Sequence, residues 1–240
     1  MRTLVISPCL EGKRNDVPAP ARAQNLADPE RQWPADARSE AFPCPLAETC
    51  TGAHHRLVMD GVQAVWDRWG REVLDWAILS GSHGLLHAYE VVMPSDSAMD
   101  PFEPAGLAGR EASLRISEQA TALVRDYDLT FYLLSERHLA VLGLPLEVPE
   151  AVQQIVLADQ ESLALVPSLP NMHPFLADGG VAARRWHVKT PQVRGFLFKR
   201  LCSQVVYHGP AILAWLYQQP GDTERLFYKR ARWRPQWRLW

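Results

Sequence analysis

Apolar residues fall along this chain in two kinds of block. Leu4-Val5-Ile6, Val73 to Leu79 and Leu129 to Leu134 are short apolar runs, too brief for helices, and they predict buried strands. Between the first two, Val58, Val62, Val65 and Trp69 recur at spacings of 4, 3 and 4. That apolar stripe predicts a helix from His54 to Gly70, with Gly70 as its C-terminal cap. Glu111 to Tyr127 repeats the helical pattern through Ile116, Ala120, Leu123, Val124 and Tyr127. Strand, crossover helix and strand in succession call for parallel pairing. The fold class is therefore α/β, with a mainly parallel central sheet flanked by helices.

The remaining stretches carry weaker patterns. Pro8 should end the first strand, because proline cannot continue a central ladder. Asp16 to Pro45 reads as a long loop and Met93 to Gly109 as proline-rich coil. Pro149 to Leu157 reads as a helix, Ser162 to Val166 as a fourth strand and Asn171 to Gly180 as a loop. Pro191 to His208 is helical, with Val193, Phe196, Leu197, Leu201, Val205 and Val206 inward and Arg194, Lys199 and Arg200 outward. Pro210 to Gln218 makes another helix, proline suiting its first turn. Residues 1–180 form the α/β core domain, and 181–240 a basic, tryptophan-rich helical segment.

Charge sharpens that division. The net charge of −2 hides a strongly cationic stretch after Val181 on an acidic body. The tail interleaves Lys229, Arg230, Arg232, Arg234 and Arg238 with Phe227, Tyr228, Trp233, Trp237 and Trp240. Basic groups among aromatics suit a phosphate backbone and stacked bases. They also suit packing over a domain surface, with the charges holding the two parts together. A nucleic-acid partner, DNA ahead of RNA, would use Arg194, Lys199, Arg200, Arg230, Arg232, Arg234 and Arg238.

No apolar run approaches a bilayer span, and no secretory leader opens the chain, so no membrane partner is expected and the expected location is cytoplasmic. Cys44 and Cys50 with His54 and His55 lack a familiar zinc spacing, and neither a metal nor a cofactor is expected. The oligomeric state is not encoded in any pattern found.

The candidate chemistry lies where strands end. Ile6-Ser7, Leu79-Ser80 and Leu134-Ser135 each pass from an apolar run to serine, and in a parallel sheet those ends share one edge. Ser80-Gly81-Ser82-His83-Gly84 forms a polar loop there, with glycines for unusual backbone angles. Cys9 and Lys13 are the sharpest reactive pair, a thiol whose pKa a nearby ammonium lowers. His83 or His55 is suited to proton transfer near neutral pH. His138 reads as a surface residue at a helix start.

Leu4 to Cys9 with Lys13 and the Pro-Ala-Pro-Ala of 18–21 resemble the opening of the YaaA-like superfamily. Cys50-Thr51-Gly52 with His55-Arg56-Leu57, Ile78 to Leu86 with Glu90 and Pro94, and Arg194 to Lys199 resemble further elements of the same superfamily. Pro8-Cys9, three residues and Lys13 are also similar to the opening signature of the archaeosine synthase catalytic core, although Arg14-Asn15-Asp16 follows where that signature continues with Pro-Tyr. The resemblance implies a site for a modified purine, such as a 7-cyano-7-deazaguanine, in or from a nucleic acid. Cys9, Lys13 and His83 would be catalytic. Ser7, Thr51, Gly52, His55, Ser80, Gly81, Ser82, Gly84 and Glu90 would hold the base. The resemblance equally implies a non-catalytic DNA-binding protein of stress response or phage defence.

Overall fold

The computed structural model describes residues 1–9, 44–50, 52–81, 83–92, 115–222 and Phe227. Lys13, Thr51, Ser82, Arg230, Arg232, Arg234 and Arg238 lie outside the described residues, as do most of the long loop and the proline-rich coil.

A six-stranded sheet organises the chain. Its strands are β1 (Thr3–Pro8), β3 (Asp75–Ser80), β4 (Gly84–His87), β6 (Leu129–Tyr132), β7 (Gln153–Ala158) and β8 (Met172–Leu176). They stand in the order β4-β3-β1-β6-β7-β8, all neighbours parallel except β3 and β4. Two short strands, β2 (Cys44–Pro45) and β5 (Val91–Val92), pair apart from it.

Alternation along the strands sends side chains into two cores. Val5, Trp76, Ile78, Phe131, Ile155 and Leu157 face one layer, and Leu4, Ile6, Ala77, Leu79, Tyr132 and Val156 the other. The first face is covered by α2 (Ala53–Trp69), α6 (Val193–His208) and α7 (Ala211–Gln218), the second by α3 (Ile116–Val124) and α4 (Glu136–Leu142). Two short helices, α1 (Leu46–Thr49) and α5 (Gly179–Trp186), complete the set. Val193, Leu197, Phe198, Leu201 and Phe227 join the same buried cluster as Val58, Val62 and Val65, so the stretch after 181 shares a core with the body.

Several elements depart from expectation. Residues 153–158 form a strand rather than the end of a helix, Ser162–Leu165 is a single 3₁₀ turn, and Met172–Leu176 is a strand rather than a loop. Pro8 stays in the ladder. The Cys9 amide donates to the Leu79 carbonyl, so by alternation the position of Pro8's missing N–H faces β6, where pairing has already ended at Ile6 and Tyr132.

The two helices α2 and α6 run side by side. A methyl group at Gly61 would stand 3.1 Å from Lys199 Cα, and one at Gly195 would stand 2.8 Å from the His54 carbonyl oxygen. Their far ends are tied by the Trp69 indole N–H, which donates to the Val205 carbonyl at 3.1 Å. Phe198 fills the space beneath α6, edge-on to Phe131 with ring centroids 5.8 Å apart. Because Phe198 is fully buried, Phe198→Ala is expected to destabilise the protein by about 3–5 kcal/mol, read from the urea midpoint. A change within about 1 kcal/mol would mean that this core closes over the gap.

Candidate functional site at the carboxyl edge of the sheet

The parallel strands β3, β1, β6, β7 and β8 stand in the chain order second, first, third, fourth, fifth. The order reverses between β1 and β6, and ligands of open α/β sheets bind at the carboxyl ends beside such a reversal. Cys9 continues from β1 at this edge, and Ser135 follows β6. Crossover helices run antiparallel to their strands, so the N-terminus of α2 arrives at the same edge. So does that of α6, whose Arg194 reaches Asp159 just past β7.

The serine reading holds for the strand ends. Ser7 and Ser80 are buried, and Ser7 Oγ accepts from the Trp76 indole N–H at 2.8 Å. Gly81 and His83 lie in the turn joining β3 to β4, and Gly84 opens β4. Gly84 has φ of +75°, and a methyl group there would stand 2.8 Å from Gln119 Oε1, so that glycine answers a backbone need.

Cys9 is joined to Cys50 by a disulfide, which removes the thiolate that a nucleophilic role requires. The bond links the end of β1 to the residue two before the N-cap of α2, Gly52. His55 follows in the first turn of α2, its Nε2 2.8 Å from the Ala47 carbonyl and its ring 5.1 Å from Trp76.

Other expected residues sit elsewhere. Glu90 belongs to the opposite edge, because β4 runs back across the sheet and leaves Glu90 Oε1 accepting from the His87 amide at 2.9 Å. Arg194, expected outward, is buried, with Nη1 2.6 Å from Asp159 Oδ2. Lys199 pairs on the surface with Asp60 at 2.7 Å, and Arg200 donates to the Phe227 carbonyl and lies 4.7 Å above the Trp186 ring. Arg194 and Lys199 thus pair with carboxylates of residues 1–180, while the contacts of Arg200 are to residues of its own segment. His138 is buried rather than superficial, its Nδ1 2.6 Å from Ser135 Oγ.

His54, weighed from the sequence only within an unfamiliar zinc spacing and as the start of a helix, was not among the expected site residues. The ring packs against Gly195 at the first turn of α6, and neither of its nitrogens has a partner in hydrogen-bonding geometry. His55 Nδ1 and Arg194 Nε are likewise buried without partners. Burial, then the positive charge of Arg194 and the neighbouring His55 and His138 rings, push the His54 pKa down to about 3, with the Pro191 carbonyl opposing weakly. Burial also lowers His55, against the pull of the Ala47 carbonyl. Burial alone would raise the Asp159 carboxyl, but the two bonds from Ser162 and the Arg194 guanidinium hold it below its usual range. Chemically the edge offers nitrogen donors around one carboxylate already engaged. Among the described residues no cluster of His, Cys, Asp and Glu could hold a metal ion.

One cleft of about 480 Å³ lies away from this edge, lined by Ser117, Thr121, Arg125, Pro145 and Glu147 among others. Arg125 there donates to the Glu147 carbonyl. No helix among the described residues is long and apolar enough to cross a membrane. No family model, curated protein or solved structure matches the chain.

His54 also carries a pH signature. In the unfolded chain it titrates near 6.5 and in the native state near 3, so between those values the unfolded state binds the extra proton. Stability is then retained above pH 6.5 and lost as pH falls toward 3, by up to about 1.4 kcal/mol per unit. Urea midpoints across this range are expected to fall less steeply in His54→Gln than in the wild type. Equal slopes would show that His54 is protonated in the folded protein.

Proposed function

We propose that this protein is a nucleic-acid-associated enzyme that holds a modified or damaged purine base, of the 7-cyano-7-deazaguanine type, at the carboxyl edge of the sheet. The observation that carries the reading is the meeting of the β1–β6 reversal with the first turns of α2 and α6, the position where doubly wound sheets take nucleotide-like ligands. The likeness of Pro8-Cys9, Lys13 and Ile78 to Leu86 to the YaaA-like superfamily supplies the substrate class. The edge would act in two states. With the disulfide intact it binds. Once a cellular dithiol has reduced Cys9–Cys50, the Cys9 thiolate adds to a nitrile carbon to give a thioimidate, with Lys13 and His83 serving proton transfer.

A second reading is a DNA-binding protein without catalysis, and the disulfide favours it, since an oxidised Cys9 cannot attack. In that reading Arg230, Arg232, Arg234 and Arg238 neutralise phosphates.

Mass spectrometry of nucleosides from cells with and without the protein separates the two. The enzyme reading expects a modified purine nucleoside that changes in abundance with the wild type and not with Cys9→Ala, while Cys9→Ala still binds DNA. The quadruple replacement of Arg230, Arg232, Arg234 and Arg238 by Gln should weaken DNA binding at low salt by at least tenfold, roughly the effect of losing several phosphate contacts. An unchanged nucleoside profile removes the enzyme reading, and undiminished DNA binding by the quadruple variant removes the tail as the contact surface.

A further inference from the structure

The buried nitrogens at the ends of α2 and α6 are the largest departure from ordinary protein chemistry in the described residues. Buried polar side-chain atoms are nearly always hydrogen-bonded. Here both nitrogens of His54, Nδ1 of His55 and Nε of Arg194 are buried without a partner in hydrogen-bonding geometry, the Pro191 carbonyl interacting only weakly with the His54 ring. His54 and His55 lie in the first turn of α2, and Arg194 in the first turn of α6. Gly195, beside Arg194, touches the His54 ring. The His54 ring and Arg194 thus lie beside each other at the first turns of α2 and α6.

The chemistry of that spot selects its ligand. A guanidinium and two helix N-termini give a positive potential, which repels a cation. Gly52 caps α2 without a side-chain oxygen, so no carboxylate or hydroxyl of the cap meets the first-turn amides. An apolar ligand would leave every nitrogen unpaired. An anion can accept from Arg194 Nε and from the protonated nitrogen of His54, the type of donors that phosphate oxygens take at helix N-termini, whereas His55 Nδ1 is the acceptor nitrogen of a ring whose Nε2 donates to Ala47 and takes no part.

The Asp159 carboxylate holds the place of such an anion. Its Oδ1 is fixed by the Ser162 amide and hydroxyl at 2.9 and 2.6 Å. Its Oδ2 meets Arg194 Nη1 at 2.6 Å. The Asp159 side chain is 39% exposed and that of Arg194 10%, whereas His54 is 4% exposed. Solvent thus reaches the ion pair and stops short of the imidazole. An incoming anion would meet Asp159 first, take its place on Arg194, and gain His54 as the pair opens.

We propose that the ends of α2 and α6 form a subsite for a phosphate group, bound by the Arg194 guanidinium and the His54 imidazole, with Asp159 as the internal competitor that the ligand displaces. The choice of phosphate over other anions rests on the nucleic-acid reading of this edge; the anion site itself does not. A bound phosphate would offset the desolvation and the neighbouring positive charge that hold His54 neutral, and so favour its protonated form.

The test uses the full chain with imidazole-labelled histidines, followed by NMR during titration with inorganic phosphate, a nucleoside 5′-monophosphate and a dinucleotide bearing only an internal diester. The expected result is a saturable shift of the His54 resonances with at least one of the three. Whichever arm saturates at the lowest concentration identifies the source as free phosphate, terminal phosphate or backbone. Asp159→Asn, which keeps an acceptor for Ser162 and removes the competing charge, should bind about tenfold more tightly, and Arg194→Gln about 30-fold more weakly. If Arg194→Gln fails to fold, Arg194→Lys, which keeps the charge and loses the forked contact, should still weaken binding. A His54 signal that answers none of the three probes overturns the proposal, as does Asp159→Asn binding no tighter than wild type. Phosphate binding with an unchanged cellular nucleoside profile would leave the subsite standing and remove the base chemistry. The reverse pair of results would remove the subsite alone.

Discussion

The close approach of α2 and α6 is the constraint on which the rest of this molecule depends. Gly61 and Gly195 leave no room for a methyl group against the facing helix without something shifting, so two long helices lie almost backbone to backbone. They share one direction, and both first turns therefore come to the carboxyl edge of the sheet. Side by side in opposite senses, they would have put one positive and one negative terminus at that edge. The parallel arrangement concentrates donors there, and the carboxylate that meets Arg194 among the described residues, Asp159, comes from the end of a different element.

The sheet supplies the second half of the geometry. Because β1 is flanked by β3 on one side and β6 on the other, the chain leaves β1 toward one face and leaves β6 toward the other. The carboxyl ends beside this reversal carry Ser7, Cys9 and the Ser135–His138 pair. Trp76 packs there by donating to Ser7 and lying against His55. The Cys9–Cys50 bond then ties β1 to the approach to α2, so the strand end and the helix start move as one body while it is intact. Reduction frees a thiol and releases that tie together.

Much of this was legible in the sequence, and the misreadings have physical causes. The stripe of Val58, Val62 and Val65 and the short apolar runs gave α2, β1, β3 and β6, because periodicity reports which face is buried. The β7 run Ile155-Val156-Leu157-Ala158 is buried on both faces and so lacks alternation, which makes it indistinguishable by pattern from a helix segment. Pro174 disguised β8, but at the sheet's edge a missing N–H leaves no ladder bond unmade. Edge serines were found because each ended an apolar run. Arg194 and His138 were placed outside because their partners, Asp159 and Ser135, determine their burial, and pairing across 35 residues leaves no periodic trace. His54 entered the reading only through a zinc spacing that failed, because the contact that buries it, against Gly195 of α6, is distant in sequence and leaves no local pattern.

The buried imidazole of His54 bears on two views of the edge. If the edge were only structural, selection for stability would favour an apolar residue at 54, since a buried unbonded polar side chain costs on the order of 1–3 kcal/mol and a leucine or methionine would fill similar space. Nor does His54 stabilise Arg194, because an imidazole beside a guanidinium gains nothing by charging. The ion pair with Asp159 would stand without it. On the proposal of an anion subsite, a bound anion would offset that cost, and the carboxyl ends beside the reversal of the sheet are where it would sit.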